Sequence, residues 1–184
     1  MLTHKGTQTI ETPRLILRRF EYADAEPMYR NWASDPEVTK YLTWPAHGSA
    51  EVSAAVLSHW VPGYEDPRYY QWAIVLRELG EPIGSISVVE LHDGTEKCEI
   101  GYCIGKAWWH RGIMSEALAA VLDYLFAQAG MNRIEARHDV RNPHSGGVMQ
   151  KCGMTYEGTA RQGGRNNQGI CDLSCYAVLR CDRK

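Results

Sequence analysis

Between Glu99 and Ala117 the chain reads Glu-Ile-Gly-Tyr-Cys-Ile-Gly-Lys-Ala-Trp-Trp-His-Arg-Gly-Ile-Met-Ser-Glu-Ala, and no other stretch restricts the fold as tightly. Lys97 to Ile104 is predicted to be a strand. Its period of two places Glu99, Gly101 and Cys103 on one face and Ile100, Tyr102 and Ile104 on the other. From Gly112 the pattern changes: Met114, Ala117, Leu118, Val121, Leu122 and Leu125 recur at helical spacing, and Gly130 stops the helix after Ala129. A strand that turns through a short basic and aromatic loop into a helix points several main-chain N–H groups at one spot. The positive end of the helix dipole adds to them, which makes a site for an anion, typically phosphate. A carboxylate, Glu99, lies upstream on the strand that leads there.

The surrounding segments predict an α+β fold. Thr12 to Arg19 reads as a first strand, with Pro13 where a missing N–H does no harm. Asp24 is the expected N-cap of a helix over Ala25 to Trp32, Asp35-Pro36-Glu37 starts a second helical turn, and Ser49 caps a third helix carrying Val52, Val56 and Trp60. Strands follow at Gln71 to Leu76 and Ile83 to Val89, with turns near Gly80 and at Asp93-Gly94. After the long helix come a strand at Arg133 to Arg137 and a helix from Ser145 to Lys151, ended by Gly153. Gly146-Gly147 should fray that helix, at about 1 kcal/mol per glycine relative to alanine. An antiparallel pair, Met154 to Thr159 and Ile170 to Arg180, closes the chain around a flexible loop from Arg161 to Gly169.

Composition narrows the function classes. With 184 residues the chain suffices for one sizeable core, expected over residues 10–182 behind a short extension at 1–9. A net charge of −2 gives no overall attraction to nucleic acid or a membrane surface. No apolar run of about 18 residues marks a membrane span, and the first ten residues lack the apolar centre of a signal peptide, so a cytoplasmic location is expected. The six cysteines form no Cys-x-x-Cys pair and no zinc spacing, and they read mainly as small core residues. Neither a phosphate-loop NTPase motif nor a dinucleotide fingerprint occurs.

Several segments together resemble one family. These are Glu11-Thr12-Pro13-Arg14-Leu15-Ile16-Leu17-Arg18, Glu99-Ile100-Gly101-Tyr102, Trp109 to Ala117, Asn142-Pro143-His144-Ser145 and Cys152-Gly153-Met154. In this order they resemble the GNAT superfamily of acyl-coenzyme A-dependent N-acetyltransferases, within the branch typified by ribosomal-protein N-terminal acetyltransferases. The resemblance spans about residues 10 to 180. It implies a mixed, mostly antiparallel central sheet flanked by helices and splayed at the cofactor site. It also implies acetyl-coenzyme A as cofactor, with the pyrophosphate on the loop from Trp109 to Ser115. Of the loop pattern Gln/Arg-x-x-Gly-x-Gly/Ala only Gly112 is kept, and Met114 stands where a small residue is usual.

Residue by residue, the resemblance assigns cofactor binding to Tyr102, Cys103, Ile104, His110, Arg111, Gly112, Ile113, Met114, Ser115, Asn142 and Ser145. Arg111 reads equally well as a solvated loop residue, and Ser145 as a helix cap. Glu99 stands where several members keep a catalytic glutamate and is expected to be the general base, directly or through water; a structural ion pair is its other reading. The tyrosine that many members use as general acid corresponds to Met149, which leaves Ser145 or water to protonate the leaving thiolate. The expected reaction is direct transfer to a primary amine, of a protein N-terminus or a small molecule, in a ternary complex. A catalytically silent acyl-coenzyme A-binding module is the alternative. Tyr41, Trp44, Trp60 and Trp72 are candidate pocket walls or core, and His110 and His138 are proton carriers or surface residues. A homodimer is compatible with the family.

Overall fold

The computed structural model describes residues 2–183. Eight strands form one sheet in the order β1-β2-β3-β4-β5-β6-β8-β7. They are β1 (Ile10–Glu11), β2 (Leu15–Arg18), β3 (Gln71–Leu76), β4 (Glu81–His92), β5 (Lys97–Ile104), β6 (Arg133–Asp139), β7 (Thr155–Asn166) and β8 (Gly169–Leu179). Every neighbouring pair is antiparallel except β5 and β6. The helices are α1 (Ala25–Met28), α2 (Pro36–Thr39), α3 (Ala50–Gly63), α4 (Ile113–Tyr124) and α5 (Pro143–Lys151). Two apolar clusters sandwich the sheet. One packs Cys98, Ile100 and Ile104 of β5 with Ala117, Leu118, Val121 and Leu122 of α4. The other packs Ala73 and Val75 of β3 with Met28, Trp32 and Leu57 from the early helices. The expected alternation of β5 holds, with Cys103 on the early-helix side. A bulge does occur, but in β4 between Val88 and Glu90.

Several local expectations are corrected. Asp24 makes no side-chain cap on α1: its buried carboxylate accepts from Arg18 at 2.7 and 2.8 Å and, closing a capping box on the preceding 3-10 turn, from the Glu21 N–H at 2.9 Å. An arginine at the end of β2, six residues earlier, outcompetes the local cap because it brings a full charge. Ser49 makes no side-chain cap, and α3 turns Ser53 and Leu57 inward while Val52 is exposed. For Trp72 the core alternative holds: it is fully buried, and its indole N–H is spent on the Gln8 carbonyl at 2.8 Å. The segment Arg161 to Gly169 is no loose loop: β7 runs to Asn166 and β8 starts at Gly169, with a register shift between Ala160 and Gly164 absorbing the glycines.

The N-terminal extension is fastened down. Thr7 Oγ1 donates to the Tyr69 carbonyl and accepts from the Gln71 N–H, and Tyr124 Oη donates to the Gly6 carbonyl. Met1, the first residue of that extension, lies outside the described residues. Among the described residues no helix is long and apolar enough to cross a membrane.

Candidate active site

The one parallel pairing is also the one that comes apart. β5 and β6 are paired from Lys97 opposite Arg133 to Ile100 opposite Ala136, and there the ladder stops. β5 continues to Ile104 bonded only to β4, while β6 continues to Asp139 bonded only to β8. The fork between them exposes main chain. The Gly105 N–H donates to Ile83 of the β4 side. By alternation the main-chain groups of Cys103 also turn toward β4, and those of Tyr102 and Ile104 turn into the fork. The Ile104 carbonyl is already taken, by the Trp109 indole at 2.8 Å.

At the far end of β5 the chain makes the corner read from the sequence. His110 and Gly112 both adopt left-handed backbone, with φ of 60° and 70°. For His110 this conformation is costly, and such residues persist where the surroundings demand them; at Gly112 the absence of a Cβ removes the cost. Helix α4 starts at once, its first regular bond running from the Glu116 N–H to the Gly112 carbonyl. Among the described residues the N–H groups of His110, Arg111, Gly112, Ile113, Met114 and Ser115 donate to no protein acceptor. A run of consecutive unpaired donors at a helix start is a cradle for an anion. The Met114 side chain does not crowd it, being buried in the core under α4.

The corner is braced from below. Glu116, in the first turn of α4, accepts from Thr12 Oγ1 at 2.6 Å, the Arg14 N–H at 3.0 Å and Arg14 Nε at 2.6 Å. Burial alone would raise its carboxyl, but these hydrogen bonds outweigh burial and hold it below the usual carboxylate range. Arg14 Nη1 also donates to the Arg111 carbonyl at 2.9 Å, so one arginine ties the loop to the helix. The Arg111 side chain itself is exposed.

Across the fork stands the start of α5. Asn142 is the residue before the helix and makes no side-chain cap; Ser145 lies inside the first turn, so it is not the cap either. Instead Ser145 Oγ donates to Tyr102 Oη at 3.1 Å, and Tyr102 Oη donates to the Ser145 carbonyl at 2.9 Å. The pair bridges β5 and α5, and burial pushes the Tyr102 phenol up. His110 and His144 meet edge to face at 4.7 Å, joining the corner to the same helix. Gly146 explains the glycine pair that looked destabilising: a Cβ there would meet His138 Nε2 at 2.6 Å, so only glycine lets α5 lie this close to β6. His138 is accordingly part-buried, not a surface residue; its Nδ1 lies 2.8 Å from the Asp139 carbonyl. Met149 is buried in the core.

Glu99 lies on the opposite face of the sheet, only 12% exposed as a side chain. One of its oxygens, Oε2, forms an ion pair with Arg137 of β6. The other, Oε1, makes no hydrogen bond among the described residues. Arg137 is the first residue of β6 beyond the last paired position, so this ion pair ties the two strands where the main-chain ladder ends. Cys103 is on the same face and contacts Ser85 Oγ at 3.4 Å; burial pushes its thiol up, which does not suit a nucleophile.

Beyond the ends of β5 and β6, side chains join segments distant in sequence. Lys106, just past β5, pairs with Glu37 of α2 at 3.2 Å. From α2 the chain leads to Thr39, Leu42 and Trp44, whose carbonyls all accept from Asn167 at the β7–β8 turn. The distances are 2.8 Å to Thr39 and 2.7 Å to Trp44 from Nδ2, and 3.1 Å to Leu42 from the main-chain N–H. Next to it Asn166 Nδ2 donates to Asp139 at 2.7 Å, at the end of β6. Asp139 is held well below the usual carboxylate range, first by hydrogen bonds from Arg141. Tyr41 lies under the Arg141 guanidinium and Trp44 packs against His47. Trp60 packs on Phe20, away from this clasp.

Arg137 carries no site signal in the sequence, while Asn167 stands out only as part of the loop from Arg161, whose residues suit turns or hydrogen bonding over the acceptor pocket, and His144 only within the Asn142-Pro143-His144-Ser145 segment. The arginine's alternation with Glu135 on β6 was visible, but its pairing with Glu99 depends on a strand register no spacing discloses.

Comparison with known proteins gives this geometry a context. A family model described as "Acetyltransferase (GNAT) domain" matches residues 14–155. The uncharacterized N-acetyltransferase YoaA of Bacillus subtilis (strain 168) is 32% identical over 171 residues, covering 93% of this chain and 96% of that protein. A GNAT-family acetyltransferase of Bacillus anthracis superposes with a TM-score of 0.81 at 26% identity, covering 94% of this chain and 99% of that one. RimL, a ribosomal L7/L12 alpha-N-protein acetyltransferase solved in complex with coenzyme A, shares the fold, with a TM-score of 0.83 at 20% identity over 94% of this chain and 98% of that one.

Proposed function

The chain belongs to the GNAT acetyltransferase family, and from that premise we propose that it moves an acetyl group from acetyl-coenzyme A to a primary amine, by direct attack in a ternary complex. The family uses acetyl-coenzyme A, and the unpaired N–H run at the start of α4 fits the diphosphate of that molecule. This is the observation that carries the reading.

In this reading the N–H groups from His110 to Ser115 hold the diphosphate, with Arg111 adding charge. The fork-facing main chain of Tyr102 and the Ile104 N–H pair with the pantetheine amides as an added strand would, beside Cys103. Asn142 and Ser145 contact the arm from the α5 side. When bound, acetyl-coenzyme A supplies an activated thioester whose thiolate is a good leaving group, thiols having pKa values near 8.5.

An amine attacks only when neutral, and an N-terminal amine has a reference pKa of about 8. Glu99, whose Oε1 makes no hydrogen bond among the described residues, accepts the amine's proton directly or through one water as the N–C bond forms and the C–S bond breaks. With Met149 buried there is no tyrosine acid on α5, and Ser145 or water returns a proton to the thiolate. The acceptor is a protein N-terminus or a small-molecule amine entering beneath the Asn167 clasp. Its six cysteines are all free, which supports a cytoplasmic location.

A thiol-release assay with acetyl-coenzyme A and a panel of peptides and small amines tests the reading. Release dependent on an amine is expected. Binding of coenzyme A with no release for any member would favour the silent binding module instead.

A further inference from the structure

We propose that Arg137 is a positioning residue for the acetyl transfer: it pins one oxygen of Glu99 at the fork so that the other is presented to the acceptor amine. This rests on the reading of Glu99 as the proton acceptor and adds a residue to it.

The geometry is specific. Main-chain pairing between β5 and β6 ends at Ile100 and Ala136. One residue further along β6, Arg137 reaches diagonally back across the gap to Glu99 Oε2. The directly opposite partner of Glu99 is another carboxylate, Glu135, which is fully engaged by Arg133 at 2.7 Å and Lys97 at 3.2 Å. On the other side Glu90 of β4 is opposite Glu99 and lies 3.5 Å from the same Arg137 guanidinium. Glu99 thus sits between two acidic neighbours on adjoining strands, with Arg137 as its only ion-pair partner among the described residues.

Two consequences follow from this arrangement. Without Arg137, the like charges of Glu90 and Glu99 at facing positions would repel, and the Glu99 side chain would lose its fixed rotamer. With Arg137, the planar guanidinium fixes one carboxylate oxygen and leaves Oε1 unengaged. A base must be held within hydrogen-bond reach of the proton it takes, and an orientation error near 1 Å can cost about 100-fold. Glu135, by contrast, has both oxygens occupied by Lys97 and Arg133, so it cannot substitute.

The test is a double-mutant cycle on the intact protein, with the amine giving the highest thiol release as acceptor. The variants are Arg137→Met, Arg137→Lys, Glu99→Gln and the Glu99→Gln/Arg137→Met double. Arg137→Met should lower kcat by about 10- to 100-fold, while acceptor KM and the coenzyme A Kd stay within about twofold of wild type. Arg137→Lys should recover most of the loss. In the Glu99→Gln background, Arg137→Met should change kcat less than about twofold, because the group it positions is gone. Unchanged kcat in Arg137→Met, or a full additional loss on top of Glu99→Gln, overturns the positioning role. If Glu99→Gln itself leaves kcat unchanged, the base assignment falls first, and the two failures are told apart. Should Arg137→Met fail to fold, Arg137→Lys combined with the coenzyme A Kd still decides: a lysine variant that binds coenzyme A normally yet turns over no better than Glu99→Gln contradicts the proposal.

Discussion

The two sides of the fork are built from different materials. The corner at His110 to Ser115 is a main-chain device: its donors are peptide N–H groups, and its shape comes from two left-handed residues and a helix start. The acceptor side is a side-chain device. Glu99, the proposed base, is paired with Arg137 from another strand, and Asn167 bonds carbonyls more than a hundred residues away. A main-chain site tolerates changes such as Met114 in place of a small residue, because peptide groups do not depend on side-chain identity. A side-chain site loses its function with single substitutions but can be retuned for a new acceptor. The contrast accounts for a cofactor corner that reads from a family resemblance while the acceptor stays open.

This contrast can be broken by experiments that hit one side and spare the other. Glu99→Gln should lower turnover by about 10²–10⁴-fold with coenzyme A affinity nearly unchanged, as measured by steady-state kinetics beside calorimetric titration; turnover equal to wild type would take Glu99 out of the mechanism. Asn167→Ala removes two of the three clasp bonds. It should raise the acceptor KM by about tenfold, the value of one to two net hydrogen bonds at about 1 kcal/mol each, and leave the coenzyme A Kd alone. A parallel loss of cofactor affinity would mean that the clasp and the corner are one unit, and the division drawn above would fail.

What could be read from the sequence follows the same line. The β5–loop–α4 segment was legible because local patterning, helix spacing and a glycine at the turn all agree there. The faces of β5 were legible from period two alone. Asp24 misled because its cap geometry is local while its actual partner, Arg18, is tertiary. Gly146-Gly147 read as weakness because propensity counts only the helix; the close approach to His138 is invisible without β6. The glycine-rich stretch from Arg161 to Gly169 read as mobile, yet Asn166 and Asn167 pin it to Asp139 and to the segment after α2. In each miss the deciding partner lies on another element, and the packing that brings it near leaves no local mark.

The central claim is that coenzyme A is held by main-chain amides at the α4 corner, and amide-resolved NMR titration of coenzyme A into the wild-type protein and Gly112→Asp tests it most directly. In the wild type the largest shifts should fall on the amides of His110 to Ser115. In Gly112→Asp, where a carboxylate meets the diphosphate and the left-handed backbone is strained, binding should be lost. Shifts centred away from that corner, or a variant that binds as tightly as wild type, would contradict the account.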